Sequence, residues 1–307
     1  MKALVKQQHG VSIATLPTPQ ALPGTVVIAV ALSGICRTDL YVAQGIIKTR
    51  TPLVLGHEFS GTIASVGAGV STLHAGQRVG VMPLFAAANT PLSGAIDYAR
   101  TSMLGLHDDG SFAEYVRVPA HAVYAIPDTM TWKQGAYLEP VAASLAVANA
   151  QISTTGKGLI YGDNRISRLT ERCLRARGFS DVTVCDSQST LPDNTYDFIV
   201  ETLANTETMA RIVTALKPGG RLILKSRQHA PVAFNINQLV MKGITIEAVS
   251  YAPFQEGIDL IASGALAVDD LFGEVYALDN YAAAFDADMK GESKKIFLCA
   301  NSDVRDL

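Results

Sequence analysis

The sequence predicts an α/β protein in two parts: a β-rich first third, followed by a βαβ series that builds a doubly wound parallel sheet. Three observations predict it. Short β-branched or alternating runs fill residues 1–130 between Pro and Gly turns; the hydrophobic period turns helical at Thr131; and apolar strands alternate with helical segments from Gly158 onward.

In order, Met1–Lys6, Thr25–Leu32, Phe59–Val66, Arg78–Val81 and Ala113–Pro119 read as strands, punctuated by Pro17, Pro19, Pro23, Gly24, Gly67, Gly69 and Gly76. Such spacing suggests a folded-over antiparallel sheet or partial barrel. Between Phe85 and Gly110 the pattern gives way to small and polar residues, a surface loop or short lobe. Trp132, Ala136, Leu138, Val141, Leu145 and Val147 then recur at helical intervals. Strands follow at Gly158–Tyr161, Val182–Cys185, Phe198–Val200 and Arg221–Leu224. The intervening helices are Ser167–Arg177 and Thr206–Leu216, and the turn Lys217-Pro218-Gly219-Gly220 precedes the fourth strand. Phe254–Ala262 and Tyr281–Met289 read as helices, and Lys295–Cys299 as a closing strand.

With 307 residues, 48% apolar and 17% charged, the chain has material for two well-packed domains and little tendency to disorder. A net charge of −3 gives no electrostatic footprint for nucleic acid or an anionic membrane, so the expected partner is a small molecule. No apolar run reaches the roughly 20 residues a bilayer span needs. Cys36, Cys173, Cys185 and Cys299 show no paired spacing, and the opening Met-Lys-Ala-Leu-Val-Lys lacks a signal-peptide core, which suits a reducing cytoplasm.

Chemistry concentrates in Gly34-Ile-Cys36-Arg-Thr-Asp39 and Gly56-His57-Glu58-Phe-Ser-Gly61. A thiolate, an imidazole and a carboxylate are ligands for a borderline-soft Zn²⁺, at about 2.0–2.3 Å each. Glu139, in Leu-Glu-Pro, offers a further oxygen. For Cys36 and His57 alone, a free buried cysteine beside an ordinary histidine is the competing reading. His9, His74, His107, His121 and His229 have no ligand-like neighbours and read as surface or core histidines.

These motifs, together with Gly76-Gln-Arg-Val79, Gly110-Ser-Phe-Ala-Glu-Tyr115, Leu216-Lys-Pro-Gly-Gly220 and Leu260-Ile-Ala-Ser-Gly264, stand in one order along nearly the whole chain. In that order they resemble the zinc-dependent medium-chain dehydrogenases, which include alcohol, sorbitol and threonine dehydrogenases. The resemblance implies a GroES-like β domain at 1–130, completed by about 273–307, and an inserted Rossmann domain at 131–272.

By the same resemblance, Cys36, His57, Glu58 and Glu139 are the metal ligands, with Glu58 and Glu139 completing or exchanging in the shell. Glu139 stands where alcohol dehydrogenases usually carry a second cysteine. Thr38 matches a relay hydroxyl beside the metal, and Tyr41 stands where many relatives place a relay histidine. Asp39 matches a carboxylate that supports the histidine ligand, with a helix N-cap as the competing reading. Arg37 either contacts a cofactor pyrophosphate or is a solvated loop arginine. The segment 85–110 holds none of the cysteines of a structural zinc, so one zinc per chain is expected.

The dinucleotide turn departs from the family. A fingerprint with three glycines serves the tight turn, the approach to pyrophosphate and the helix packing. Here it reads Gly162-Asp163-Asn164-Arg165-Ile166-Ser167, with the first glycine alone retained. Asn164 brings a side chain toward the phosphates while tolerating a left-handed backbone, and Asp163 adds negative charge. Asp186 ends the second strand where an acidic residue binds the ribose hydroxyls of NAD and would repel NADP, unless it simply opens a turn. Arg165, Arg168, Arg172 and Arg175 line one side of the next helix, either as a solvated face or as an offset to Asp163.

The expected function is zinc-dependent hydride transfer between NAD(H) and a small polar secondary alcohol or ketone: a polyol, cyclitol or amino alcohol. The alternative is a redox-neutral zinc enzyme, a lyase, isomerase or hydrolase, that has lost or weakened dinucleotide binding. Segments around Tyr41–Arg50, Phe85–Tyr98 and Tyr251–Phe254 are expected to shape the substrate pocket. A homo-oligomer, dimer or tetramer, is expected through a Rossmann sheet edge near Val268–Val275.

Overall fold

A computed structural model describes residues 1–86, 96–227, 230–290 and 294–301. The chain divides into two compact units, one of residues 1–92, 96–140 and 254–307, the other of 93–95 and 141–253. Residues 131–140 and 254–272, assigned to the Rossmann part by the sequence, thus cluster with the first unit.

In the first unit, one sheet runs in the order Val123–Ala125, Arg78–Val81, Glu58–Val66, Thr25–Gly34, Lys295–Cys299, Phe272–Ala277, with Tyr115–Pro119 also paired to Thr25–Gly34. The period-2 pattern explains its core: Val26, Ile28 and Val30 point inward against Phe59, Ile63, Val79 and Val116. A second sheet joins Val11–Thr15, Lys2–Lys6 and Leu53–Val54. Leu4, Leu53 and Leu55 there pack with Ile35 and Leu40, and with Phe285 of the helix Tyr281–Met289.

The second unit is a five-stranded parallel sheet in the order Val182–Cys185, Gly158–Tyr161, Tyr196–Glu201, Leu216–Leu224, Thr245–Ala248. Helices Arg165–Ala176, Thr206–Ala215 and Ile236–Lys242 alternate with the strands. Leu159, Ile160, Ile199 and Val200 are buried as in a sheet covered on both faces. The expected turn at Lys217–Gly220 is an irregularity inside a longer strand: Leu216 pairs with Tyr196, and pairing resumes at Arg221 with Phe198. The stretch from Asp186 to Thr195 carries no helix, so this connection spans from strand to strand directly.

The sheet edge expected near Val268–Val275 is corrected. Phe272–Ala277 pairs in parallel with Lys295–Cys299 in the first unit's sheet, and the edges of the parallel sheet are Val182–Cys185 and Thr245–Ala248. Of the loop expected at 85–110, Leu84–Phe85 pairs with Ser102–Met103 and Tyr98–Arg100 is a short 3₁₀ turn; residues 87–95 and His229 lie outside the described residues.

Candidate metal centre and dinucleotide turn

Strand register assembles the metal candidates. Thr25–Gly34 and Glu58–Val66 run antiparallel with Gly34 opposite Glu58, so Cys36, two residues beyond Gly34, arrives beside His57. Cys36 then caps the helix Arg37–Ala43. One ligating atom each from Cys36, His57 and Glu58 lie within 4.8 Å of one another, with His57 and Glu58 fully buried and Cys36 half-buried. Glu139, in the first turn of the helix Leu138–Leu145, is 7% exposed and outside that closest group. Its charge nevertheless reaches Glu58.

Asp39 holds this arrangement in place. Its Oδ2 accepts from the Cys36 N–H at 2.9 Å, its Oδ1 accepts from the Gly56 N–H at 3.1 Å, and the same Oδ1 lies 3.3 Å from His57 Nδ1. Asp39 faces the histidine as the resemblance implies, and the N-cap reading is corrected: Cys36 is the cap, and Asp39 satisfies its backbone N–H from the third helical position. With Nδ1 facing a carboxylate, Nε2 is the nitrogen left for a metal. Gly56 has φ +95°, and a Cβ there would come within 2.6 Å of Phe112 Cδ1, so only glycine lets this turn close.

The electrostatics favour a cation. Burial alone would lower the His57 pKa, yet the carboxylate of Asp39 and the thiol of Cys36 reverse this and raise it well above its ordinary value. Burial raises the Glu58 pKa, Glu139 adds to the rise, and Lys295 and His57 oppose it. A soft, an imidazole and a hard anionic donor converging in a buried pocket, with the imidazole braced from behind, fit Zn²⁺.

Lys295 is the residue that sequence reasoning missed. It is 1% exposed, its ammonium pairs with Glu58 Oε2, and it donates to the Ile35 carbonyl at 2.6 Å. Phe297 lies opposite Gly34, so the closing strand delivers Lys295 to the metal candidates. Gly34 leaves room for it: a Cβ there would sit 2.5 Å from Lys295 Cε and 2.9 Å from Glu58 Oε2. The available signal was a lysine at the head of an otherwise apolar strand, Lys295-Ile-Phe-Leu-Cys299.

The other candidates lie around this cluster. Arg37 is exposed, and Thr38 and Tyr41 are half-buried on successive turns of the helix that begins after Cys36. Among the expected pocket segments, Lys48, Thr49 and Arg50 line a cavity of about 340 Å³ with Leu106 and His107, which shares no residue with the metal candidates.

In the second unit, Gly162 follows the first strand with φ +118°, and a Cβ there would come within 2.5 Å of Thr202 Oγ1. This is a strand-turn-helix cradle of the kind that receives a dinucleotide. Asn164 is extended (φ −137°, ψ 174°), not left-handed, and its Oδ1 accepts from the N–H groups of Ile166 at 2.9 Å and Ser167 at 3.1 Å. Arg165 opens the helix, and Arg168 pairs with Asp163 at 3.2 Å, offsetting its charge. Asp186 is exposed and opens a turn, its Oδ1 accepting from Gln188 N, Ser189 N and Ser189 Oγ, which lowers its pKa. Arg211 holds that turn through the carbonyls of Ser187 and Ser189.

The family model for the alcohol dehydrogenase GroES-like domain matches residues 22–128. The chain is 32% identical over 189 residues to (R,R)-butanediol dehydrogenase of Bacillus subtilis, a match spanning 57% of this chain and 54% of that relative. It is 27% identical over 344 aligned positions to L-threonine 3-dehydrogenase of Bacillus velezensis, covering 97% of this chain and 98% of the relative. The crystal structure of 2R,3R-butanediol dehydrogenase from Bacillus subtilis superposes with a TM-score of 0.89 at 25% identity, covering 98% of this chain and 99% of that one. Motif order, fold and relatives agree: over nearly its whole length the chain is similar to the zinc-dependent medium-chain dehydrogenases.

Proposed function

We propose that the protein is an oxidoreductase that transfers a hydride between NAD(H) and a small polar secondary alcohol or its ketone, with a polyol, cyclitol or amino alcohol as the substrate class. The buried Cys36–His57–Glu58 cluster carries this reading, because three convergent donors of these types serve no packing purpose. The named substrates of the relatives, butanediol and threonine, are small polar molecules with secondary hydroxyls, which supports the class.

When bound, Zn²⁺ supplies a Lewis acid that lowers the pKa of a substrate hydroxyl. Cys36, His57 and Glu58 would hold it, with Glu139 as a further oxygen donor. Asp39 fixes the imidazole of His57 through Nδ1. The Thr38 hydroxyl accepts the substrate proton and Tyr41 passes it toward water. Gly162, Arg165 and Asp186 would hold the dinucleotide, at the turn that Asn164 caps.

The test is zinc-loaded protein with NAD⁺ and a panel of secondary alcohols, read by nicotinamide absorbance. The reading predicts reduction with at least one polyol or amino alcohol. No reduction, together with no NAD(H) binding by calorimetry, refutes it.

The same proposal includes a homo-oligomer in the cytoplasm. On the helix Ile236–Lys242, Ile236, Val240 and Met241 are 73%, 71% and 77% exposed, beside the edge strand Thr245–Ala248, and such apolar exposure suits a second copy. Cys36 and Cys185 carry free thiols, which suits a reducing compartment. Among the described residues no helix is long and apolar enough to cross a membrane.

A further inference from the structure

The amides at the start of a helix after a glycine turn are what a pyrophosphate binds in this class of fold. Here two of them are already engaged. Asn164 Oδ1 accepts from both Ile166 N and Ser167 N, whereas the asparagine caps Asn205 and Asn235 of the same unit each accept from one amide, Thr208 N and Gln238 N.

The asparagine is also braced from the other side. Its Nδ2 donates to Thr202 Oγ1 at 2.9 Å; that hydroxyl donates to the Tyr161 carbonyl at 2.9 Å and lies 2.8 Å from Ser167 Oγ. With one proton given and two received, the Thr202 hydroxyl has no capacity left. The network is closed, and a dinucleotide finds no free donor at Ile166 or Ser167 until Asn164 moves. The charge of Asp163 is not the remaining obstacle, since Arg168 pairs with it.

We infer that Asn164 sets the affinity of this chain for a dinucleotide: its side-chain oxygen occupies the place of a phosphate oxygen at the helix N-terminus and must swing away before the pyrophosphate can take the amides of Ile166 and Ser167. This rests on the cofactor reading above. It makes Asn164 a built-in competitor, held by Thr202, and predicts weak binding and fast release of NADH relative to what the bare turn allows.

The test is NADH titration, by nicotinamide fluorescence and calorimetry, of zinc-loaded wild type, Asn164→Gly, Thr202→Val and Asp163→Asn, with ADP-ribose and adenosine as further ligands. Glycine is a tolerated N-cap, so Asn164→Gly keeps its helix, and circular dichroism checks this. Phosphate oxygens form charge-assisted bonds about twice as strong as the amide's, so Asn164→Gly is expected to bind NADH and ADP-ribose about tenfold tighter and adenosine unchanged. Thr202→Val, which leaves the cap but removes its brace, tightens both pyrophosphate ligands by a smaller factor. Unchanged or weaker NADH binding by a folded Asn164→Gly overturns the inference, as does an equal gain for adenosine. A larger gain from Asp163→Asn than from Asn164→Gly also overturns it, by assigning the obstacle to charge. If wild type binds NADH and the gain is missing, this inference alone fails; if neither wild type nor any variant binds NADH, the cofactor reading fails with it.

Discussion

Replacing Lys295 with Met removes the ammonium and keeps most of the stem. The side chains of Lys295 and Glu58 are 1% and 3% exposed, so water does not replace the lost partner. Removing one member of a buried pair costs about 3–5 kcal/mol, because the other charge is stranded. That full loss is expected in metal-free protein near neutral pH. With zinc bound, Glu58 has a second cation, and the remaining cost is the Ile35 carbonyl left without its donor, about 1 kcal/mol. The difference, at least ~2 kcal/mol, must reappear as zinc binding about 30-fold tighter in the folded variant.

The pH dependence has a definite sign. Burial raises the Glu58 pKa and Lys295 opposes the rise, so the variant's pKa lies higher still. A carboxyl whose folded pKa is raised is neutral at low pH and costs nothing there; its stabilising contribution disappears as pH rises through the folded value. Metal-free Lys295→Met is therefore expected to be close to wild type in mildly acid urea titrations and to fall away on the alkaline side of the ordinary carboxylate range. Urea melts of both proteins, with chelator and with zinc, at acid and alkaline pH, read all of this. An equal loss with and without zinc, or a loss that ignores pH, refutes the assignment and reduces Lys295 to packing.

Other perturbations test the surroundings. Asp39→Asn removes the negative oxygen behind His57 and is expected to weaken zinc binding about 10–100-fold in chelator competition. Gly34→Ala pushes a methyl group against Lys295 Cε and Glu58 Oε2; a loss of about 1–3 kcal/mol in denaturant melts, with weaker zinc binding, is expected. Zinc removal by chelator should lower the melting temperature and abolish activity, both restored by Zn²⁺ and not Mg²⁺; saturating zinc at about a thousand times its Kd adds about 4 kcal/mol.

Much of this architecture was legible because local pattern and tertiary environment agree. The alternation in Thr25–Gly34 and the apolar runs at Gly158–Tyr161 and Tyr196–Glu201 each state their burial in a few residues. The helix Ile236–Lys242 and the strand Thr245–Ala248 were not legible, since their apolar residues face out and give no core pattern. The association edge expected near Val268–Val275 was attributed to the wrong sheet, because the partner of Phe272–Ala277 lies across the helix Tyr281–Met289 and nothing in its own residues names that partner. At the metal candidates, Cys36, His57 and Glu58 could be found from residue type, whereas Lys295 depends on register: Gly34 pairs with Glu58 on one side and Phe297 on the other. Asn164 was noticed for a side chain brought toward the phosphates, but its hold on two amides is a matter of side-chain direction that composition does not carry.

The charges around the metal candidates also explain one another. Glu58 and Glu139 bring two buried acidic side chains to the metal candidates, and Asp39, paired to His57, brings a third behind them. Lys295 is the internal cation the closing strand supplies to Glu58. Glu139 and Lys295 therefore act on the metal with opposite sign. Glu139→Gln is expected to weaken zinc binding, Lys295→Met to tighten it, and the double variant to return close to wild type. Chelator competition on the four proteins gives the cycle directly. If both single variants weaken zinc binding, or if the double variant is the sum of two losses, Lys295 is not the counter-charge of the second carboxylate, and the pairing of a carboxylate-rich site with a buried lysine loses its electrostatic reason.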